Sequence, residues 1–152
     1  MSVDYRLTLA GDLTLEEVAA LAAPGATEGR SPAGNRVLSA SLNKESGYVV
    51  SIVATVDGYY EAESDGGEMW QWEPARSVDI TFHMDKEVLA EKGRPHMLRT
   101  VDQVLRSRPE DAALILNGGW LMLTRVNGQV LLHNAAEWHD PNYDIDGMRT
   151  AE

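Results

Sequence analysis

Four histidines (His83, His96, His133 and His139) and 24 carboxylates are the groups in this chain with the means to hold a metal or move a proton. Their spacing favours neither. No two histidines fall at the i, i+4 separation that places two imidazoles on one helix face, and His139-Asp140 would need distant help to close a metal shell. The tail carries Asn142-x-Asp144-x-Asp146-Gly147, the front half of a calcium loop. The twelfth-position acid that such a loop requires would fall one place past Glu152. There is no cysteine, hence no thiol nucleophile, thiolate-bound zinc or disulfide. No nucleophile elbow, phosphate loop or dinucleotide fingerprint occurs, and Gly66-Gly67 and Gly118-Gly119 read as turns. Acid–base catalysis needs carboxylates in a pocket that shifts their titration, which exposed strand positions do not supply. The expectation is a protein without catalytic residues, metal or cofactor.

Charge is more informative. Thirteen Lys and Arg against 24 Asp and Glu give a net charge of -11. Such a field repels nucleic acid and anionic lipid and favours a basic polypeptide partner. The acids are concentrated. Asp57, Glu61, Glu63, Asp65, Glu68, Glu73, Asp79, Asp85 and Glu87 face only Arg76 and Lys86, so this stretch contributes -7 of the total. A solvated face normally mixes both signs, whereas a one-signed face steers a cationic partner.

Periodicity supplies the elements that must position these groups. Tyr5, Leu7 and Leu9 alternate in a strand over 4–10, and Thr14-Leu15-Glu16-Glu17 is a capping box opening a helix over 15–23. Pro24, Gly25, Gly29, Pro32 and Gly34 mark a loop over 24–35. Strands are expected at about 36–42, 47–56, 59–65, 68–73 and 77–84. After a short turn or helix at 86–92, Met97, Leu98, Val101, Val104 and Leu105 form the stripe of a second helix. Arg99, Arg106 and Arg108 make this helix the most basic part of the chain. Strands at 112–117, 119–126 and 129–133 follow, the last two joined through Asn127-Gly128. These elements imply an α+β fold: a largely antiparallel sheet of eight or nine strands with two main helices packed on one face. Residues 1–152 read as one domain with an irregular tail after about 140. No apolar run is long enough to span a membrane and no signal-peptide pattern opens the chain, which fits a cytoplasmic protein.

Register decides where the acids point. A two-residue Asp57-Gly58 turn would set Glu61 and Glu63 on the apolar side. A three-residue Val56-Asp57-Gly58 loop, with Gly58 left-handed, pairs Ala54 with Tyr60 and Ile52 with Ala62 and sends both acids outward. Burying two unpaired carboxylates costs several kcal/mol each, so the bulged loop is expected. Alternation then places Glu61, Glu63, Asp79 and His83 on outward parities, with Glu73 alongside. Trp70 and Trp72 share a face. With Tyr59 and Tyr60 they either fill core or supply interface anchors; Trp120 and Trp138 read most simply as packing residues.

The stretch Asp4-Tyr5-Arg6-Leu7-Thr8-Leu9-Ala10-Gly11-Asp12 resembles the opening of the Sit-type toxin immunity proteins, in particular their small actinobacterial members. The resemblance continues through Tyr60-Glu61-Ala62-Glu63-Ser64-Asp65 and Trp70-Gln71-Trp72-Glu73-Pro74. It resumes at Pro109-Glu110-Asp111-Ala112-Ala113-Leu114-Ile115-Leu116-Asn117 with Trp120 and the strand from Leu121 to Arg125. It implies a bacterial protein that binds and neutralises a cognate toxin without catalysis. The expected contact residues are Glu61, Glu63, Glu73, Asp79 and His83, with exposed members of Tyr59, Trp70 and Trp72 as anchors. Two other classes stay open: a small-ligand-binding domain, requiring a closed pocket lined by the tryptophans, and a hydrolase or metal-dependent enzyme, requiring histidine and carboxylates to converge.

Overall fold

A computed structural model describes residues 2–88 and 92–134. The calcium-like segment, His139 and Trp138 lie outside the described residues. In chain order the elements are β1 (Ser2–Ala10), α1 (Leu15–Ala22), β2 (Thr27–Arg30), β3 (Arg36–Leu42), β4 (Tyr48–Val56), β5 (Tyr60–Glu63) and β6 (Met69–Trp72). They continue with β7 (Arg76–Asp85), α2 (Arg94–Ser107), β8 (Ala112–Leu116), β9 (Trp120–Val126) and β10 (Gln129–Leu132). The ten strands form one sheet in the order β2-β3-β4-β7-β1-β8-β9-β5-β6, with β10 also on β9. Every pairing is antiparallel except the contact of β5 with β9. The fold is α+β.

Alternation on β1 sets the core. Leu7 stands opposite Ile80 on one side and Leu114 on the other; Ile80 is opposite Ile52, and Ile52 opposite Leu38. One row of branched side chains thus crosses five strands. Both helices close over it. Leu15, Val18, Ala19 and Ala22 of α1 and Met97, Leu98, Val101, Val104 and Leu105 of α2 belong to the same buried cluster as this row. Each fully buried Leu or Ile contributes about 1.5–3 kcal/mol, so the row alone orients the helices firmly.

The helix ends are made as local chemistry requires. Thr14 Oγ1 accepts from the Glu17 amide at 3.0 Å and Glu17 Oε2 accepts from the Thr14 amide at 2.9 Å, completing the capping box. Helix α2 has Pro95 in its first turn. Past its other end, Arg125, only 3% exposed, donates to the carbonyls of Leu105, Arg108 and Glu110. A guanidinium at carbonyls left over by a helix C-terminus matches the negative end of the helix dipole. Burial lowers the Arg125 pKa from its ordinary value.

Two sequence expectations are corrected. The segment expected to be loop contains β2, a short and wholly exposed strand paired with β3, so the described residues form a sheet of ten strands rather than eight or nine. The bulged β4–β5 hairpin does not form. Ala54 pairs with Val78 and Ile52 with Ile80, because β7 offers β4 a longer apolar partner than β5 does. The left-handed residue is Asp57 (φ 53°), whose amide is held by the Ala75 carbonyl at 2.7 Å. Gly58 matters for space instead. A Cβ there would stand 2.9 Å from Tyr60 Cε2, so no other residue lets that ring pass unmoved.

Candidate binding surface on the β5–β6 hairpin

The second face of the sheet is polar along its central strands, and the β5–β6 hairpin lies on it. Tyr60, Ala62, Ala113, Ile115 and Leu121 form a small second core, with Trp70 and Trp72 packed against it. The rings of Tyr60 and Trp72 lie 5.8 Å apart and those of Trp70 and Trp72 5.7 Å apart. Both tryptophans are half-buried rather than sealed.

A polar seam fixes the hairpin at its centre. Asp79 accepts from Thr8 Oγ1 at 2.6 Å, Thr55 Oγ1 at 3.0 Å and the Tyr60 hydroxyl at 2.9 Å. Tyr60 also lies 3.1 Å from Ser77 Oγ, and its ring receives the Arg6 guanidinium at 5.2 Å from the centroid. Burial, chiefly, raises the Tyr60 pKa. The expectation that Asp79 faces outward is therefore corrected: at 7% exposure it sits beneath the hairpin. Its strand parity is as read, but the face is covered, and three hydroxyl donors satisfy the carboxylate there.

A second set of bonds holds the open end. The Asn134 side chain donates to the Glu63 carbonyl at 2.9 Å and the Leu121 carbonyl at 2.8 Å, and its amide donates to Asp65 Oδ1 at 2.8 Å. His133 bridges Ser64 Oγ at 3.0 Å and Thr124 Oγ1 at 2.9 Å. Burial lowers the His133 pKa, an effect Asp65 partly opposes. No local pattern marks this clasp in the sequence, because its partners lie on three separate segments.

The outer side of the hairpin follows from its register. Glu61 pairs with Gln71 and Glu63 with Met69, so these four share one face, opposite the buried Tyr60 and Ala62 and the half-buried Trp70 and Trp72. Glu73 continues the Met69–Gln71 parity. Tyr59 joins the same side, since its hydroxyl donates to Glu61. That hydrogen bond, with the charge of Glu73 nearby, raises the phenol's pKa. Trp120 stands in register with Glu63 across the parallel contact. Tyr59 is 55% exposed, Met69 51% and Trp120 42%, three large apolar groups beside three acids. Met69 and Trp120 are additions to the sequence reading, which took Trp120 for packing; the outward parity that Met69 shares with Glu73 was the available signal.

Several acids elsewhere on the chain are held by arginines. Arg36 holds Glu16 and Glu28, Arg108 holds Glu110, Arg106 holds Asp102 and Arg76 holds Asp12. Among the described residues, no cation lies within 4.0 Å of Glu61, Glu63 or Glu73. His83 is exposed but belongs elsewhere: it stands on the uncovered part of the second face, where its ring contacts Asp4.

Residues 3–143 match the sequence profile of the SitI3-like family. The chain belongs to this family. Searches of curated proteins and of solved structures return no match. The family assignment agrees with the resemblance noted in the sequence. Among the described residues, no group of three or more His, Asp or Glu is arranged around a metal-sized space. No helix there is long and apolar enough to cross a membrane. Three open depressions of about 390, 370 and 330 Å³ lie at the α2 C-terminus, between α1 and β2–β3, and beside the α1 N-terminus. None of the three is lined by a tryptophan, so they give no support to the ligand-binding alternative.

Proposed function

We propose that this SitI3-like protein is an immunity protein. In this reading it neutralises a cognate bacterial toxin in the cytoplasm by direct, non-catalytic binding. The outer face of β5–β6 is the contact region: Glu61, Glu63 and Glu73 attract a basic surface, and Tyr59 supplies an apolar anchor. Nucleic acid and membrane are not partners in this reading, since the same charge repels them. The observation that carries it is the gathering of three acids on one side of a single hairpin, with no cation within 4.0 Å among the described residues, beside exposed aromatic and thioether groups. Apolar anchors ringed by charge are the usual anatomy of a protein-binding hot spot. Asp79 acts from beneath by fixing the platform. Trp70 and Trp72 back it, and His83 lies outside it.

The test is association with the polypeptide encoded by the adjoining reading frame. The expected outcome is that this polypeptide is toxic when expressed alone and that co-expression of this chain rescues growth. The double variant Glu61→Lys with Glu63→Lys slows association at least about tenfold at low ionic strength, and much less where salt screens the field over about 3 Å. A neighbour that neither binds nor kills, or association kinetics indifferent to salt and to both substitutions, overturns the proposal.

A further inference from the structure

The sheet ends in two different ways. At one end β2 reads Thr27-Glu28-Gly29-Arg30, short, wholly exposed and carrying both charges. Such an edge discourages further pairing. At the other end β6 reads Met69-Trp70-Gln71-Trp72, with no charge, proline or glycine. It pairs with β5 on one side, and among the described residues nothing pairs with its other side. This leaves a row of backbone donors and acceptors open on an aromatic strand, the kind of edge that proteins normally protect. Among the described residues strand β10 also pairs on one side only, but neither it nor its neighbour β9 carries an acid that would select a basic occupant.

We infer that β6 is a receptor edge, to which the partner adds an extended segment with basic side chains on one face and apolar side chains on the other. The two faces of β6 dictate this alternation. On the outer face the added strand runs beside Met69, Gln71 and Glu73, with Glu61 and Glu63 one strand further in. Strands lie about 4.8 Å apart, so a lysine or arginine there is two spacings from the inner acids, within the joint reach of two long side chains. On the inner face the added side chains meet Trp70 and Trp72, which are half-buried and retain surface to cover. Backbone bonds supply affinity and the alternate side chains specificity, as in other strand-addition complexes. A second copy of this chain is disfavoured as occupant. Edge-to-edge pairing would bring together two uncharged edges, each backed by Glu61 and Glu63 and flanked by Glu73, with no basic group between them, in a chain of net charge -11.

This inference rests on the immunity reading only for the identity of the partner, so it is tested first without one. The probe is a capped seven-residue peptide alternating lysine and valine, added to the full chain at up to about 1 mM. Amide exchange across Met69–Trp72 is expected to slow at least about tenfold at saturation, while β2 is unchanged. Two control peptides should leave β6 unaffected: one with methylated alternate backbone nitrogens, and one with glutamate for lysine. No added protection at β6, or binding that survives backbone methylation, overturns the inference. Concentration-dependent dimerisation that protects β6 overturns the choice of occupant. With the adjoining reading frame's product, a complex that forms while β6 exchange is unchanged removes the edge and leaves the immunity reading standing. Peptide binding at β6 with no affinity for that product removes the immunity reading and leaves the edge.

Discussion

Removing the Asp79 carboxylate tests whether the hairpin is positioned by its polar seam. Asp79→Ala takes away the acceptor for Thr8, Thr55 and Tyr60, at 2.6, 3.0 and 2.9 Å. Hydrogen bonds to a charged group are worth about 1.5–3 kcal/mol each, a gross loss of about 4.5–9 kcal/mol. Against this stands the several kcal/mol spent on taking a carboxylate out of water, which the variant recovers. Tyr60 and Ser77 can still bond to each other at 3.1 Å. The expected net destabilisation is about 3 kcal/mol, falling to about 1.5 kcal/mol in Asp79→Asn, which keeps one acceptor oxygen. Tyr60→Phe should cost about 1–2 kcal/mol, and the double variant less than the sum, with a coupling of about 1–2 kcal/mol. Urea unfolding followed by tryptophan fluorescence gives these numbers. Amide exchange should quicken in β5–β6 before β1 or β7. An Asp79→Ala cost below about 1 kcal/mol, strict additivity with Tyr60→Phe, or quickened exchange spread evenly over the sheet would refute the seam as the element that places Glu61 and Glu63.

Arg125→Ala should destabilise by about 3–5 kcal/mol in urea unfolding, because it strands carbonyls at the end of α2. Thr14→Ala should cost about 1 kcal/mol, measured the same way, with exchange quickened only in the first turn of α1. His133 gives a pH signature. Burial lowers its folded-state pKa, so the unfolded chain binds the proton more readily. Its stabilising contribution is complete above the ordinary histidine range near 6.5 and is lost as pH falls from there toward the lowered folded value. Urea midpoints at about pH 7.5 and 5.5 should therefore differ more in the wild type than in His133→Gln.

Local chemistry carried much of the fold into the sequence. The capping box at Thr14, the stripe from Met97 to Leu105 and the period-two rows of β1, β4 and β7 are patterns within single elements, and each forms as read. Strand β2 was hidden because Thr-Glu-Gly-Arg has no apolar alternation; it exists through pairing with β3. The error at Asp79 is more instructive. Period two reports the side of a sheet a residue takes, not what lies over that side. The warning was in the neighbours: Thr8, Thr55 and Ser77 are hydroxyl-bearing residues on the face that Asp79 shares, and hydroxyls are what a covered carboxylate needs. The same limit applies to Glu61 and Glu63. The sequence argument sends them outward by pairing β5 with β4, whereas their outward position comes from β6 and the second core.

The β5–β6 ribbon assigns its two sides to different tasks with no residue serving both. Tyr60, Ala62, Trp70 and Trp72 answer to the interior, while Glu61, Glu63, Met69 and Gln71 turn away from it. Mutation can therefore rewrite the solvent-facing letters without disturbing how the ribbon seats. A lineage locked in rivalry with changing adversaries would diversify fastest at these odd-numbered positions while the even-numbered ones stand still.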